Sequence, residues 1–261
     1  MGKLKWETII FMVVVHLLGL VALLPQFWSW GSVTVFLILY WVTACLGVTI
    51  GYHRLLSHRS FKVPKWLERF FATCGALSAE YGPINWVGIH RQHHKYSDTE
   101  KDPHNIHQGF WHSHLTWMFS VSEAEKRAYE FAKDLQRDSY YLWLDNWFLV
   151  LQVSLGLLLY ILGGWSYVLW GIFLRLAVVY QVTWLVNSLA HTSGDRAYDT
   201  PDNSHNNKLV AMLTFGEGWH NNHHMFPKSA RHGLLPGQVD ITWYHILVMQ
   251  RLGLAKAVLL K

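Results

Sequence analysis

Cysteine and charge are both scarce in this 261-residue chain. Its two cysteines, Cys45 and Cys74, have no CxxC partner, which argues against a disulfide framework or a zinc knuckle. Charged residues make up 15% of the chain, below the roughly 25% of soluble domains. No charged or Pro/Gly/Ser-rich linker divides the sequence and no internal repeat is visible, so we predict a single domain over residues 1–261.

Four apolar runs stand out against this low charge. They cover about residues 8–24, 32–50, 147–163 and 165–186, each close to the roughly 20 residues that a helix needs to cross hydrocarbon. The first run could be a signal peptide, but no small-residue cleavage site follows it and a second run comes at once. The predicted fold class is all-α: an integral membrane bundle of four transmembrane helices with a cytoplasmic helical cap.

Positive charge is distributed unevenly around these runs. Of the 22 Lys and Arg residues, Arg175 lies inside the fourth run, and the short connections at residues 25–31 and 164 contain none. Because cytoplasmic loops carry the excess of Lys and Arg, we predict that both termini and the long middle segment are cytoplasmic. Arg175 is costly in lipid and should face protein or a polar cavity. The net charge of +5 is spread along the chain, which argues against nucleic-acid binding.

Histidine is abundant, and its spacing matters more than its number. Of 17 histidines, eight fall in three clusters and a ninth follows the fourth run. In two clusters the spacing i, i+3, i+4 places three rings largely on one helical face. In the first cluster two histidines are five apart, about 140° around an ideal helix, so the helix must end between them or they straddle a site. The nine are His53 and His58, then His90, His93 and His94, then His191, then His220, His223 and His224.

These nine histidines all lie on the predicted cytoplasmic side, and they are too many for one metal ion. Imidazole is a common ligand of Fe, Zn, Cu and Ni, and about five or six ligands fill one coordination sphere, so the pattern predicts two metals. A zinc hydrolase fits poorly because catalytic zinc keeps three protein ligands and an open position. A redox pair suits the number better. Of the other histidines, His232 is expected to pack or to lie at the surface, and His104, His107 and His205 are candidates to support the ligands.

Longer sequence motifs surround these histidines. They include Gly51-Tyr-His-Arg-Leu-Leu-Ser-His58, Trp86-Val-Gly-Ile-His-Arg-Gln-His-His94, Asn187-Ser-Leu-Ala-His191 and Gly216-Glu-Gly-Trp-His-Asn-Asn-His-His224. In this order, between two pairs of apolar runs, they resemble the membrane fatty acid desaturases over about residues 45–237. The closer match is the Δ9 group, which includes cyanobacterial acyl-lipid enzymes and stearoyl-CoA desaturases. His220 stands where front-end desaturases have Gln, which argues against that subclass.

The resemblance implies the cofactors and the partners. It implies that the nine histidines bind two iron ions, with Asn187 reaching one metal through a water, and that O2 is the co-substrate. It implies a cis double bond, at Δ9, in a saturated C16–C18 acyl chain bound to lipid or to CoA. No haem-binding His-Pro-Gly-Gly occurs, so electrons would come from a separate carrier of the ferredoxin or cytochrome b5 type. The location would be a bacterial cytoplasmic membrane or a thylakoid membrane, among membrane lipids.

Substrate-binding residues follow from the same resemblance. Trp86, Thr183 and Trp184 would line the bend of an acyl tunnel, with interface packing as the alternative. Glu80 stands where relatives commonly have Gln beside that tunnel. Three acidic residues near the clusters are candidates to orient ligand imidazoles by hydrogen bonds, or else are solvated loop charges. They are Asp98, Asp102 and Glu217.

The carrier and the length of the acyl chain depend on departures from the family pattern. His107 and Gln108 stand where acyl-CoA enzymes have basic residues, so a lipid-bound chain is at least as favoured as a CoA thioester. Trp41 and Cys45 are four residues apart, hence on one α-helical face, roughly 18 and 12 Å below His53. Residues at the matching places close the tunnel in relatives. We therefore expect Trp41 to limit chain length, with packing between helices as the alternative.

Two rival functions fit part of the pattern. Another histidine-rich di-iron oxygenase, such as an alkane hydroxylase or a carotenoid oxygenase, would give an alcohol or a ketone instead of an alkene. A metal transporter or storage protein would need coordinating groups at mid-membrane along a path. The histidines here lie at the ends of the apolar runs, which disfavours transport.

Overall fold

Helices account for the regular structure. The computed structural model describes residues 3–261, apart from the side chains of residues 124 and 125, and in that range only isolated bridges, such as Leu4 with Ser120, take the place of strands. The all-α prediction is confirmed to that extent. The α-helices of the described chain are α1 (Trp6–Ala22), α2 (Trp30–Tyr40), α3 (Lys65–Ala76), α4 (Pro83–Tyr96), α5 (Phe110–His114), α6 (Glu123–Phe131), α7 (Ser139–Val168), α8 (Arg175–Ser188), α9 (Lys208–Leu213), α10 (His220–Met225) and α11 (Ile241–Arg251).

Two continuous helical stretches are long and apolar enough to cross a membrane. Trp30–Ser57 joins α2 to a wider π-helical segment, Trp41–Ser57. Ser139–His191 joins α7 and α8 through a second π-helical segment, Leu169–Leu174. Helix α1 is also apolar but has only 17 residues. The predicted runs at 147–163 and 165–186 both fall inside the longer stretch.

A two-glycine turn divides that longer stretch. Gly163 has φ −159° and ψ 18°, and Gly164 has φ 62° and ψ −156°. Glycine alone adopts the Gly164 conformation without strain, because any β-carbon would collide with the backbone. The helix that begins at Ser139 therefore ends here and a second one begins at Trp165, where the two apolar runs were separated in the sequence.

The π-helical segment Trp41–Ser57 lies unusually close to α3. A β-carbon on Gly47 would lie 2.4 Å from the carbonyl carbon of Cys74, and one on Gly51 would lie 2.7 Å from the Phe71 oxygen. Only a hydrogen atom fits at these two positions. The close contact holds α3 against the middle of the segment that carries the first histidine cluster.

Buried polar contacts fix the other elements that surround the histidines. Arg175 is completely buried and faces protein, as expected, where its guanidinium donates to Leu77 O, Gly171 O and Gln152 Oε1. Helix α4 begins at a proline, and Asp145 Oδ1 of α7 accepts from the first free backbone N–H groups, Ile84 N at 3.0 Å and Asn85 N at 3.1 Å. The carboxylate at a helix N-terminus stabilises α4, which carries the second histidine cluster.

Candidate metal centre

Four segments bring the nine predicted histidines together. The π-helical winding explains the first cluster: the His58 N–H donates to His53 O at 3.1 Å, and the two rings lie 4.8 Å apart. In a π-helix the hydrogen bonds run from i to i+5, so residues five apart share a face, which an α-helix does not allow. The other ligand candidates come from α4, from the turn Leu189–His191 after α8, and from α10.

Helices α4 and α10 each supply both of two adjacent histidine groups. On α4 the i, i+4 pair His90 and His94 points to one group and His93 to the other. On α10 the assignment is the opposite: His223 belongs to the same group as His90 and His94, and the i, i+4 pair His220 and His224 belongs to the group of His93. The five-histidine group comprises His53, His58, His90, His94 and His223, and the four-histidine group comprises His93, His191, His220 and His224.

The nitrogens in each group converge as ligands of one ion would. In the five-histidine group, Nε2 atoms face each other at 2.7 Å (His58 and His90), 2.9 Å (His94 and His223) and 3.0 Å (His53 and His223). In the four-histidine group His191 Nε2 and His220 Nε2 are 3.0 Å apart. With metal–nitrogen bonds of roughly 2.1 Å, two ligands at a right angle stand about 3 Å apart.

His93 and His224 each use Nδ1 for a carboxylate and leave Nε2 available for a ligand. His93 Nε2 and His224 Nε2 are buried without a hydrogen-bond partner among residues 3–261. An orphaned buried nitrogen costs free energy unless something binds it. The donor set, made of imidazoles alone, therefore fits metal ions in both groups.

Burial keeps most of these imidazoles neutral. The pKa of His224 is lowered to about 4 by removal from water, against an ordinary value of 6.5. Neutral imidazole is the form that binds metal, so the lone pairs are available at neutral pH. The same cause holds the pKa well below 6.5 in His58, His90, His94, His220 and His223.

Carboxylates lie behind three of the four rings in the four-histidine group. Asp102 accepts from His93 Nδ1 at 2.9 Å, and Asp98 Oδ1 lies 3.2 Å from His191 Nδ1. Burial alone would raise the pKa of Asp98, but its contacts with His191 and the Asn203 backbone lower it to about 2. A carboxylate on Nδ1 fixes the tautomer and turns Nε2 toward the metal. Asp98 and Asp102 thus lie behind the rings of two ligand candidates.

Asp202 was not predicted, although it holds the third ring. It accepts from His224 Nδ1 at 2.6 Å. It lies on a loop 22 residues before that histidine, so no helical spacing connects the two. The pKa of this carboxyl falls below its usual range because the contacts with His224 and Ser204 outweigh the effect of burial. In the sequence, the only indication of this role is that Asp202 belongs to an acidic loop that precedes the third histidine cluster.

In the five-histidine group one carboxylate, Glu217, lies behind a ligand candidate, and its charge is paired with Arg54. Glu217 Oε2 lies 2.5 Å from His53 Nδ1 and 3.1 Å from His232 Nδ1. Its other oxygen accepts from Arg54, which also donates to both oxygens of Asp240. Arg54, Asp240 and His232 are 0%, 2% and 1% exposed. The expectation that His232 packs is met in an unexpected place, beside the His223 ring at 4.3 Å.

Two apolar cavities meet at the histidine groups. The larger, about 410 Å³, reaches His90 and Asn187 from one side, and the smaller, about 60 Å³, continues from the same two residues toward Ala44 and Val48. Two of the predicted substrate residues, Trp86 and Thr183, line both cavities; the third, Trp184, lines the larger one. Glu80 also lines the larger cavity.

Glu80 connects to the residues at the junction of the cavities. Its Oε2 accepts from Trp86 Nε1 at 3.2 Å, and Thr183 also hydrogen-bonds to it. Burial raises the pKa of Glu80 to about 7. These contacts fix the shape of the passage next to the five-histidine group, where the Trp86 ring stacks on His90 at 5.1 Å.

Trp41 and Cys45 lie elsewhere. Trp41 is 39% exposed and donates from Nε1 to His245 Nε2 at 3.2 Å. Cys45 is buried with its sulfur 3.9 Å from the Thr242 hydroxyl. Among described residues neither lines the two cavities, and Ala44 and Val48 do so in their place. The expectation of a shared face assumed an α-helix, whereas the π-helical winding turns a different face toward the cavity.

The chain is similar in sequence to known fatty acid desaturases. The profile of the family described as fatty acid desaturase fits residues 28–246. The chain is 50% identical over 253 residues to an sn-1 stearoyl-lipid 9-desaturase of Anabaena variabilis, covering 97% of this chain and 93% of the relative. It is 46% identical to an sn-2 palmitoyl-lipid 9-desaturase of a Nostoc species, covering 98% and 90%. An acyl-CoA C20 Δ5-desaturase of Anemone leveillei is 44% identical, with 96% and 82% covered.

Proposed function

The chain belongs to the fatty acid desaturase family, and on that premise we propose that it inserts a cis Δ9 double bond into a saturated acyl chain of a membrane lipid. It is an oxidoreductase. The observation that carries the proposal is the pair of histidine groups at the junction of two apolar cavities. Relatives named for stearoyl-lipid and palmitoyl-lipid substrates favour chains of those lengths.

We propose iron as the metal in both groups and O2 as the oxidant. The five-histidine group would hold one ion, and the four-histidine group, with Asn187 beside it, the other. A saturated C–H bond is inert to acid–base side chains, and a di-iron centre with O2 supplies the oxidising power that they lack. Imidazole ligands suit iron among the redox metals. The facing Nε2 atoms and the orphaned nitrogens of His93 and His224 support this assignment.

The protein's own contribution is to hold one pair of methylenes beside the histidine groups. Trp86 and Thr183 lie where the two cavities meet, and Glu80 hydrogen-bonds to both. An acyl chain that passes this junction presents the same carbons to the metals each time, and displacement by about an ångström is enough to lose that selection. The small cavity toward Ala44 and Val48 would take the methyl end.

We propose a single domain with four membrane spans and cytoplasmic termini. The two stretches Trp30–Ser57 and Ser139–His191, the break at Gly163 and Gly164, and the apolar helix α1 support four crossings. Reporter fusions test the orientation: one at Gly31 should behave as external and one at Lys261 as internal. The opposite pattern would overturn the topology.

Electrons would come from a separate carrier of the ferredoxin or cytochrome b5 type, in a bacterial cytoplasmic or thylakoid membrane. His58 and His94 are partly exposed and do not line the larger cavity, which supports electron entry on their side of the five-histidine group. Addition of each purified reduced carrier to membranes that contain the enzyme distinguishes the two types.

Expression in a host that lacks unsaturated fatty acids tests the function. Mass spectrometry of the host lipids should find cis double bonds nine carbons from the carboxyl end. Alcohols or ketones in place of alkenes would instead identify an alkane-hydroxylase or carotenoid-oxygenase type of activity. A variant with His220→Ala, produced at the same level, is the matched control.

A further inference from the structure

The larger cavity has an outer end between two apolar helices. On one side it is lined by Glu7, Thr8 and Met12 of α1, and on the other by Phe148 and Leu149 of α7. Leu149 is 49% exposed, and Glu7 is exposed as well. The cavity is therefore open at the side of the helix bundle.

The packing of the helices leaves this opening. Helix α1 packs against Leu169–Leu174 and α8, and α7 packs against α3, α4 and the same segment Leu169–Leu174. The two helices thus flank the pair formed by Leu169–Leu174 and α8, and the cavity fills the space that remains between them.

Two tryptophans mark the level of the opening. Trp6 directly precedes Glu7 and is 60% exposed, and Trp147 directly precedes Phe148 and is 51% exposed. Exposed tryptophans on spanning helices concentrate where hydrocarbon meets the head groups. The opening accordingly lies where the head group of a membrane lipid would rest while its tail points inward.

The charge of the opening is negative. Glu7 is the carboxylate at the opening, Glu80 lies buried at the inner end, and the described lining contains no Lys or Arg. Lys3 and Lys5 precede α1, but their backbone is bonded to Val121 and Phe119 and neither side chain is part of the lining. Phosphate groups are normally recognised by Arg, Lys or helix N-termini. A CoA or phosphatidyl head group would face Glu7 without such a partner.

We propose that the opening between α1 and α7 admits the tail of a lipid sideways from the membrane, and that Glu7 selects an uncharged, hydroxyl-bearing head group over an anionic one. The Glu7 carboxylate accepts hydrogen bonds from head-group hydroxyls and repels phosphates. The inference rests on the proposed acyl-lipid desaturation and adds the route and the class of head group, which both a glycolipid and diacylglycerol would satisfy.

Lipid photocrosslinking tests the route without any requirement for turnover. The full-length protein in nanodiscs is exposed to a galactolipid whose acyl tail carries a diazirine, and the labelled peptides are mapped. Label is expected on α1 and α7 around Met12 and Phe148. Thr8→Trp should reduce it about tenfold by filling the opening, whereas Val13→Trp, on the exposed face of the same helix, should leave it unchanged. Equal labelling in the Thr8→Trp protein would overturn the lateral route.

Charge reversal tests the selection. Nanodiscs contain distearoyl galactolipid, distearoylglycerol or distearoylphosphatidylglycerol, and stearoyl-CoA is added separately. The wild-type protein should bind and desaturate the two uncharged lipids in preference to both anionic carriers. Glu7→Lys should shift the ratio toward the anionic carriers about tenfold, and Glu130→Lys, at an exposed position outside the lining, should not.

The outcomes separate this inference from the proposed function. Crosslinks at α1 and α7 with no alkene formed would leave the route intact and remove the desaturase assignment. Alkene formation with equal use of phosphatidylglycerol, stearoyl-CoA and galactolipid would leave the desaturase assignment intact and remove the selection by Glu7. A preference for one of the two uncharged lipids would identify the source of the hydroxyls.

Discussion

The two histidine groups use the same two helices but are supported in different ways. The four-histidine group has carboxylates behind three rings, from Asp98, Asp102 and Asp202, and none of these is paired with Lys or Arg in the described chain. The five-histidine group has more ligands but one supporting carboxylate, Glu217, which is tied to the buried Arg54. The surroundings of the four-histidine group are thus the more negative of the two.

This difference separates two tasks that a supporting carboxylate can perform. In the four-histidine group the carboxylates act on the ligands, because each contacts an imidazole and loop backbone. In the five-histidine group Glu217 also satisfies the charge of Arg54, which with Asp240 ties the π-helical segment to α11. Loss of a carboxylate should therefore affect metal binding in one group and folding in the other.

Removal of a ligand histidine should have the same effect on activity in both groups. Each of the nine histidines changed singly to Ala should abolish desaturation, to below about 1% of wild type, since a lost ligand opens the coordination sphere. His90→Ala and His220→Ala sample the two groups. Alkene formation and metal content are measured together on protein that has inserted normally. His112→Ala and His245→Ala serve as controls, and full activity in any of the nine would remove that residue from the ligand set.

Glu217→Gln should show the folding role of the five-histidine group. The substitution leaves Arg54 with Asp240 alone, and breaking a buried ion pair costs about 3–5 kcal/mol. Thermal unfolding of the metal-free protein in detergent should therefore begin at a clearly lower temperature. A protein of unchanged stability that had lost only its metal would mean that Glu217 serves the ligands alone, as the aspartates of the other group do.

Asp202→Asn should show the opposite result. Asn keeps the shape but withdraws the charge behind His224, so metal affinity should fall about 10–100-fold, the usual loss when the partner of a ligand imidazole is removed. Competition with a chelator measures the affinity, and unfolding of the metal-free protein should change little. Asp195→Asn, at an exposed position on the same loop, is the matched control. Collapse of the metal-free Asp202→Asn protein would contradict the comparison.

The two groups should also differ, by a smaller amount, in how acid changes the stability of the metal-free protein. Burial lowers the pKa of His58 in the folded state, so the unfolded chain takes up that proton first, and the metal-free protein loses stability as the pH falls below about 6.5. His93 has the opposite sign: burial lowers its pKa, but Asp102 outweighs this, and the raised pKa favours the folded state in acid.

The two signs give a paired measurement. Metal-free His58→Gln protein should lose less melting temperature than the wild type between pH 7 and pH 5, and metal-free His93→Gln protein should lose more. Identical slopes in both variants and the wild type would show that the two groups do not differ in how they hold protons.

The sequence indicated which histidines come together, but not most of what surrounds them. The nine histidines were recognisable because ligand spacing on a helix is a local property, and Asp98, Asp102 and Glu217 lie within a few residues of the clusters. Asp202 and the pair Arg54 and Asp240 were missed, since each meets its partner only through the tertiary fold. Local spacing carries no information about contacts between distant loops.

The placement of Trp41 shows a second limit. Its assignment to the tunnel used 3.6 residues per turn, and no residue in Trp41–Ser57 announces the wider winding that the structure has. That winding also reconciles His53 with His58, which the same assumption had set apart. The segment also packs closely on α3 through Gly47 and Gly51, a tertiary contact that local spacing does not reveal.

The turn at Gly163 and Gly164 has a consequence for biogenesis. On the four-span topology, a connection of two residues is too short for the two helices to insert independently. They would therefore enter the membrane together as one helical hairpin. On that topology, the described residues expose on the far side this turn and the short segment around residues 25–29. On the proposed orientation, proteases, antibodies and modifying enzymes in that compartment would meet little exposed chain, and control of the enzyme's lifetime would act from the cytoplasm or from within the bilayer.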